Sequence, residues 1–381
     1  MQSNSYLFEL NHPCHAHLFK HVIKSLLEHG HEVDVLLKES ALVQAILKAE
    51  SIPFILQGRK GDGLLSKALK QISFTRQIIS LHKKNKYTLA IGVSVSIPLA
   101  SKFSSIKSLV LDDDDKKATP LFAFLAHNNA SLLLRPSSLF HEAAAKNKVF
   151  YQGYHELSYL HPDIFKPDIG ILSEQGLSAR EPFFILRLVA LKAHHDIGIK
   201  GISHKQLLRI INLLSKHGRV IITSESPGGL PKGAEALKIK PEKIHHLMAY
   251  AKMIVSDGQT MCSEAACLGV PSIRINDFVG RISYLEELEK KWKLTFGFKP
   301  NEFSQAIAKM SSVVAGPSDL YKERRDEMVA SSINVRDFLL WTIENYPESK
   351  RLMKENPVET QKRFSASNRG LSFTVNLRTF Y

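Results

Sequence analysis

"YLFELNHPCHAHLFKHVIKSLLEHGHEVDVLL", residues 6–37, is the stretch whose reading decides the fold. "YLFEL" is a short apolar run that stops at a polar loop, the pattern of a buried strand. Leu18, Phe19, Val22, Ile23, Leu26 and Leu27 then recur at helical spacing. Gly30 stands just past the last turn, where a helix end calls for a left-handed residue. "HEVDVLL" resumes as a strand. Strand, helix and strand in such short succession require parallel strands joined by a right-handed crossover.

The rhythm continues outward. A helix over 41–50 leads to "IPFIL", a basic amphipathic stretch over 63–85 to "YTLAIGV", a helix over 95–104 to "SLVLDD", and a helix over 119–126 to "ASLLLRP". "YQGYHELSYLHPDIFKPDIGIL", rich in Pro, Tyr and His, breaks the pattern and reads as a linker. A second alternation follows: "FFILRLV", helix 203–216, "RVIITS", helix 241–250, "KMIVSD", helix 260–268, "PSIRI", and a helix from about 281. Helices near 301–313 and 319–346 close it. The fold class is therefore α/β, with two Rossmann-like doubly wound domains facing a central cleft. The expected boundaries are 1–165, 166–346 with the closing helices, and a loosely attached polar tail over 347–381.

Composition bounds the function. At 381 residues and 44% hydrophobic, the chain can bury two cores. Three cysteines make no disulfide framework, which fits a reducing cytoplasm. The start lacks a secretory pattern, and no apolar run reaches the roughly 18 residues of a spanning helix. A net charge of +14 favours anionic partners. No zinc-finger spacing or RNA-binding aromatic signature is present, so nucleic acid is not expected.

Ligands of open parallel sheets bind beyond the carboxyl ends of strands. The loop after "KMIVSD" opens a helix with Gly258, Gln259 and Thr260, a natural phosphate seat, and Glu264 follows one turn on. "SDGQTMCSEAACLGVPSIR" resembles the nucleotide-diphosphate segment of GT-B glycosyltransferases and of non-hydrolysing UDP-N-acetylglucosamine 2-epimerases. The resemblance implies that Gly258, Gln259 and Thr260 hold the diphosphate and Glu264 the ribose, although the usual Ser-Gly-Gly reads Asp-Gly-Gln-Thr here. "LNHPCHAHLFKHVIKSLLEHGHEV", "YHELSYLHPDIFKPD", "LRLVALKAHHDIGIKG" and "DFVGRISYLEELEKKW" look like a prokaryotic GT-B-like family known only as a domain of unknown function, over about residues 5–345.

Other loops complete the expectation. In "LRLVALKAHHDIGIKG", Arg187 and His195 are placed to offset diphosphate charge, and Arg281 to reach a phosphate. In "LVLDDDDKKATP", Asp112 or Asp113 is a candidate base, and adjacent carboxylates push at least one of the four to titrate high. "NHPCHAH" offers His15 as the alternative base and His12 and His17 as acceptor contacts. Its spacing completes no metal site, and none is expected. The related epimerases carry a Gly-Asp-Thr near "AIGVSVSIP"; Gly92, Val93 and Ser94 offer no carboxylate there, which favours transfer.

The expected activity is glycosyl transfer from a nucleotide sugar, UDP-linked, in polysaccharide, glycolipid or cell-envelope synthesis. The nucleotide sugar is a substrate, so no cofactor is expected. The basic stretch Lys67 to Lys86 suits an anionic lipid-linked acceptor, which puts the protein at the inner face of a membrane. A UDP-sugar 2-epimerase and a non-catalytic nucleotide-sugar or polyanion-binding protein are the alternatives.

Overall fold

The computed structural model describes residues 3–59, 61, 63–189, 201–224 and 231–365. The chain forms two compact units, Met1–Tyr159 with the chain from Ala330 onward, and Leu160–Val329.

The first unit is a parallel sheet of β1 (Ser5–Leu10), β2 (Glu32–Lys38), β3 (Ile55–Gly58), β4 (Leu89–Gly92), β5 (Ser108–Leu111), β6 (Leu132–Pro136) and β7 (Lys148–Tyr151). Its order is β3-β2-β1-β4-β5-β6-β7. The second holds β8 (Phe183–Leu188), β9 (Arg219–Ser224), β10 (Glu235–Ala236), β11 (Met253–Ser256), β12 (Ser272–Ile275) and β13 (Thr295–Phe298), also parallel, in the order β10-β9-β8-β11-β12-β13. Strand order reverses between β1 and β4 in one sheet and between β8 and β11 in the other. Those are the topological switch points where such sheets take ligands.

The opening unit forms as its pattern demands. The helix α1 (Pro13–Glu28) follows β1 and buries Leu18, Phe19, Val22, Ile23 and Leu26. Gly30 ends it at φ 82°, with the His31 amide donating to Leu26 O at 3.0 Å. Three further helices matter below: α2 (Ala41–Ala49), α3 (Leu64–Asn85) and α4 (Ser96–Phe103). Leu7, Leu36 and Ala90 of the sheet pack with Ile78 of α3 and Ile97 and Ala100 of α4 as one apolar layer.

Several expectations change. The third strand starts at Ile55, beyond Pro53, which has no amide to give a ladder. The short strands β7, β10 and β13 carry too little apolar pattern to stand out. The expected helix 319–346 is two, Asp319–Ala330 and Val335–Glu344. Asn334 starts the second, its side chain accepting from the Asp337 amide at 3.2 Å. Val335–Glu344 packs against α1, so this closing helix belongs to the first unit rather than the second. The segment read as a linker is buried from Tyr154 to His161.

The tail is likewise structured up to Ser365. Helices Glu348–Glu355 and Pro357–Lys362 follow, and the side chain of buried Gln361 accepts from the Gln152 amide at 2.7 Å and donates to Phe150 O at 3.2 Å. Residues 366–381 lie outside the described residues.

Gly269 ends the helix Thr260–Leu268 at φ 72°, and a Cβ there would lie 3.1 Å from Lys322 Cα. Gly269→Ala should lower stability by about 1–2 kcal/mol in urea unfolding, from left-handed strain plus contact.

Candidate functional site

In the second unit, β11 ends at Ser256, and Asp257, Gly258 and Gln259 lead into the helix Thr260–Leu268. Gly258 to Met261 are half-buried. Gln259 makes no side-chain cap. The amides of Gln259, Thr260 and Met261 donate to no other described residue, so the helix start keeps open donors. The Gly258 amide turns back to Ser256 Oγ at 2.8 Å, and a Cβ on Gly258 would meet Val189 Cγ1 at 2.9 Å. This glycine therefore serves close packing of the turn on the strand-β8 loop.

Asp257 ties the switch point together. Its Oδ1 accepts from the Val189 amide at 2.8 Å, and its carbonyl from Asn276 Nδ2 at 2.9 Å. Burial pushes its carboxyl up to about 6, against the backbone donors and the Arg187 charge that pull it down.

Glu264 lies one turn along, buried, with Oε1 2.9 Å from His245 Nε2. Arg187, near the end of β8, donates to Thr223 Oγ1 at 3.1 Å. Arg281 is exposed in the loop after β12. His195, with Lys192, His194 and Asp196, lies outside the described residues. Cys262 and Cys267 are buried, and burial holds the Cys262 thiol up at about 11, as suits packing residues.

In the first unit the three histidines part company. His12 is the N-cap of α1: its Nδ1 accepts from the Cys14 amide at 3.3 Å and lies 2.9 Å from Cys14 Sγ. His15 Nδ1 accepts from the Asn11 amide at 3.4 Å, which leaves the neutral ring's proton on Nε2. That nitrogen can donate to an oxygen and is poorly disposed to act as a base. His17 is buried and stacks on Tyr159 with ring centroids 5.4 Å apart.

The four aspartates are the least surface-like of the loops. Asp112 is buried, with Oδ2 2.6 Å from His127 Nε2 and 3.5 Å from Arg135 Nη2, and Oδ1 accepting from the Asp114 amide at 3.3 Å. Arg135, on β6, is 0% exposed; it reaches Glu142 at 2.6 Å and donates to the Asp114 carbonyl. Asp113 keeps partial exposure, its Oδ2 3.2 Å from His155 Nδ1. Burial raises the Asp113 carboxyl, but the charge and hydrogen bond of His155 outweigh it and hold it below the usual range. Asp114 is the member that titrates well above its ordinary value, through burial first and then its two acidic neighbours. Two adjacent carboxyls are thus driven in opposite directions.

Asp115, His141 and Glu142 bring three metal-competent atoms together among the described residues, but Glu142 is already held by Arg135. The composition of the loop did not reveal its partners: His127, Arg135 and His155 lie 15 or more residues downstream of Asp112 or Asp113, and only the sheet brings them in.

Two pH dependences follow. Folding raises Asp257 from 3.8 to about 6, so its protonated form adds stability that is full below the unfolded value and lost as pH rises through about 6. In Asp257→Asn, urea midpoints measured on either side of that window should differ less than in the parent.

For His155, burial lowers the pKa, but the Asp113 charge and bond raise it further, giving a net rise. Its contribution is present below the ordinary histidine value and lost as pH rises through the folded one, whereas that of Asp113 is lost as pH falls through its depressed value. His155→Gln should therefore lower Tm near neutrality, and the deficit should shrink in alkaline buffer. An equal deficit throughout would rule out the charged pair.

The known proteins that this chain resembles agree with this architecture. The family described as "Protein of unknown function (DUF354)" matches residues 6–281. No curated protein matches the chain. Among solved structures, the UDP-GlcNAc 2-epimerase of Neisseria meningitidis bound to UDP-GlcNAc is 14% identical over 93% of this chain and 100% of that chain, TM-score 0.61. MnaA of S. aureus, solved with UDP, is 12% identical over 91% of this chain and 97% of that chain, TM-score 0.64. The spinosyn forosaminyltransferase SpnP is 14% identical over 93% and 100% respectively, TM-score 0.62. At such identities the likeness shows the fold, which is GT-B-like, with two Rossmann-like units. The family match spans well over half of the sequence, and the chain belongs to the DUF354 family of proteins of unknown function.

Proposed function

We propose that this chain transfers a sugar from a nucleotide diphosphate, UDP, to a hydroxyl acceptor in polysaccharide, glycolipid or cell-envelope synthesis. The observation that carries the reading is the open helix start at Gln259, Thr260 and Met261, beside the β8/β11 switch point, with Glu264 one turn on. Free amides and the helix dipole favour a diphosphate there, and a buried carboxylate suits a ribose diol. Arg187 and Arg281 supply positive charge as the diphosphate leaves, with His195 in the same role. The UDP and UDP-GlcNAc carried by the similarly folded N. meningitidis and S. aureus proteins support UDP as the nucleotide.

Of the three candidate bases, Asp113 fits best. It is ionised, partly exposed and oriented by His155, whereas Asp112 is locked between His127 and Arg135. In the step, the acceptor hydroxyl proton passes to Asp113 and the acceptor oxygen bonds the anomeric carbon. The bond from that carbon to the diphosphate oxygen breaks, and its electron pair leaves with UDP. His15 donates from Nε2 to an acceptor oxygen, and His12 holds the helix start beside it.

No described helix is long and apolar enough to cross a membrane. The exposed Leu69 (60%) and Ile72 (49%) on α3, among Lys67, Lys70 and Arg76, suit contact with an anionic lipid surface bearing the acceptor.

The 2-epimerase reading has one observation in its favour: Glu9 places a carboxylate against Ser94, where the sequence alone offered none. Incubation with UDP-sugars separates the two readings, since acceptor-dependent UDP release marks transfer and inversion at C2 without an acceptor marks epimerisation. Calorimetry with UDP checks the nucleotide seat. Glu264→Ala should weaken UDP about tenfold or more, the worth of a hydrogen bond to a charged group; unchanged affinity rules out its ribose role. A wild-type chain whose Tm shifts with neither UDP nor UDP-GlcNAc overturns the proposal.

A further inference from the structure

We infer that Glu9, Lys38 and Ser94 form a hydroxyl-binding subsite at the β1/β4 switch point of the first unit. Glu9 is the penultimate residue of β1, Lys38 ends β2, and Ser94 stands two residues past β4. Glu9 pairs in register with Leu36 and Gly92, so the side chains of Glu9, Lys38 and Ser94 share one face of the sheet. It is the face whose deeper layer is Leu7, Leu36, Ala90, Ile78 and Ile97. The apolar layer thus ends, at the carboxyl rim, in a charged row. Gly92 makes room there: a Cβ on it would lie 2.8 Å from Glu9 O and 2.9 Å from Ile97 Cδ1.

The row is under-satisfied in a specific way. Glu9 is 0% exposed, and one of its oxygens accepts from Ser94 Oγ. The other, Oε1, accepts no hydrogen bond among the described residues. Lys38 Nζ lies 3.6 Å from that oxygen, beyond hydrogen-bond reach, and 4.6 Å from the Phe74 ring centroid. A buried ion pair stabilises a fold only when its lone pairs and protons are bonded. This one leaves Oε1 without a hydrogen bond among the described residues and the ammonium 3.6 Å from it, at the polar end of an apolar layer. A hydroxyl group satisfies both at once, accepting from Lys38 and donating to Glu9. A lone cation would repel Lys38, and an anion would repel Glu9. The ligand class is therefore a neutral polyol, and the nucleotide-sugar reading, on which only its identity rests, makes it the sugar or the sugar-like acceptor.

The test uses the full chain and two probes. Saturation-transfer NMR reports binding of free N-acetylglucosamine, and calorimetry on the same sample reports UDP. Wild type should transfer saturation to the sugar. Glu9→Gln, Lys38→Met and the double variant, which keeps shape but removes both charges, should each weaken the sugar about tenfold. UDP affinity should stay within about twofold. Ser94→Ala, which disturbs packing least, should give a smaller loss in the same direction.

If the double variant keeps wild-type sugar binding, or wild type shows no transfer, the subsite is overturned. Sugar binding without UDP binding would keep the subsite and refute the nucleotide-sugar reading; UDP binding without sugar binding would do the reverse.

Discussion

Parallel pairing is the constraint on which the rest of the molecule depends. A parallel ladder needs a crossover after each strand, so all strands of a sheet end on one rim. Both units obey the same order of strands, reversing at β1/β4 and at β8/β11. At those two places the crossovers go to opposite faces and leave the rim open. The polar residues buried nearest to them are Glu9 with Ser94 in the first unit and Asp257 with the Val189 amide in the second. Charge at the end of an otherwise apolar strand is costly to fold, and it stands at both switch points.

The first unit concentrates that charge. Asp112, Asp113, Asp114, His127, Arg135, Glu142 and His155 are drawn together by β5, β6 and the segment after β7. Arg135 is the hub, fully buried between two carboxylates and a carbonyl. Removing one partner of such a network leaves the others uncompensated, which is more harmful than never having built it. The same network sets adjacent carboxyls apart. His155 holds the Asp113 carboxyl below the usual range, while burial and its acidic neighbours push that of Asp114 well above it. Neighbouring groups whose pKa values are pushed apart are suited to acid–base chemistry.

Local signals were legible where local chemistry decides. Apolar spacing in α1, the left-handed Gly30 and the turn at Gly258 into Thr260 all stand as their residue types demand. The break at Asn334 also had a local signal, a capping residue before an apolar run, but the flanking helical periods masked it. The burial of 154–161 had none. Its Pro, Tyr and His content resembles a loop, and its place inside comes from partners far away, as when Ser158 donates to Leu18 O.

The sequence by itself determined the α/β alternation, the parallel sheets and the turn that offers open amides, because period, glycine position and helix starts act over a few residues. Only the tertiary structure decided which charges matter. It buried His17, turned His12 into a cap, committed Asp112 to His127 and Arg135, moved Val335–Glu344 and the helices after it into the first unit, and set Glu9 against Lys38 and Ser94. Desolvation and pairing depend on what the chain brings alongside a residue, and those partners lie far off in sequence: 85 positions from Glu9 to Ser94 and 142 from His17 to Tyr159.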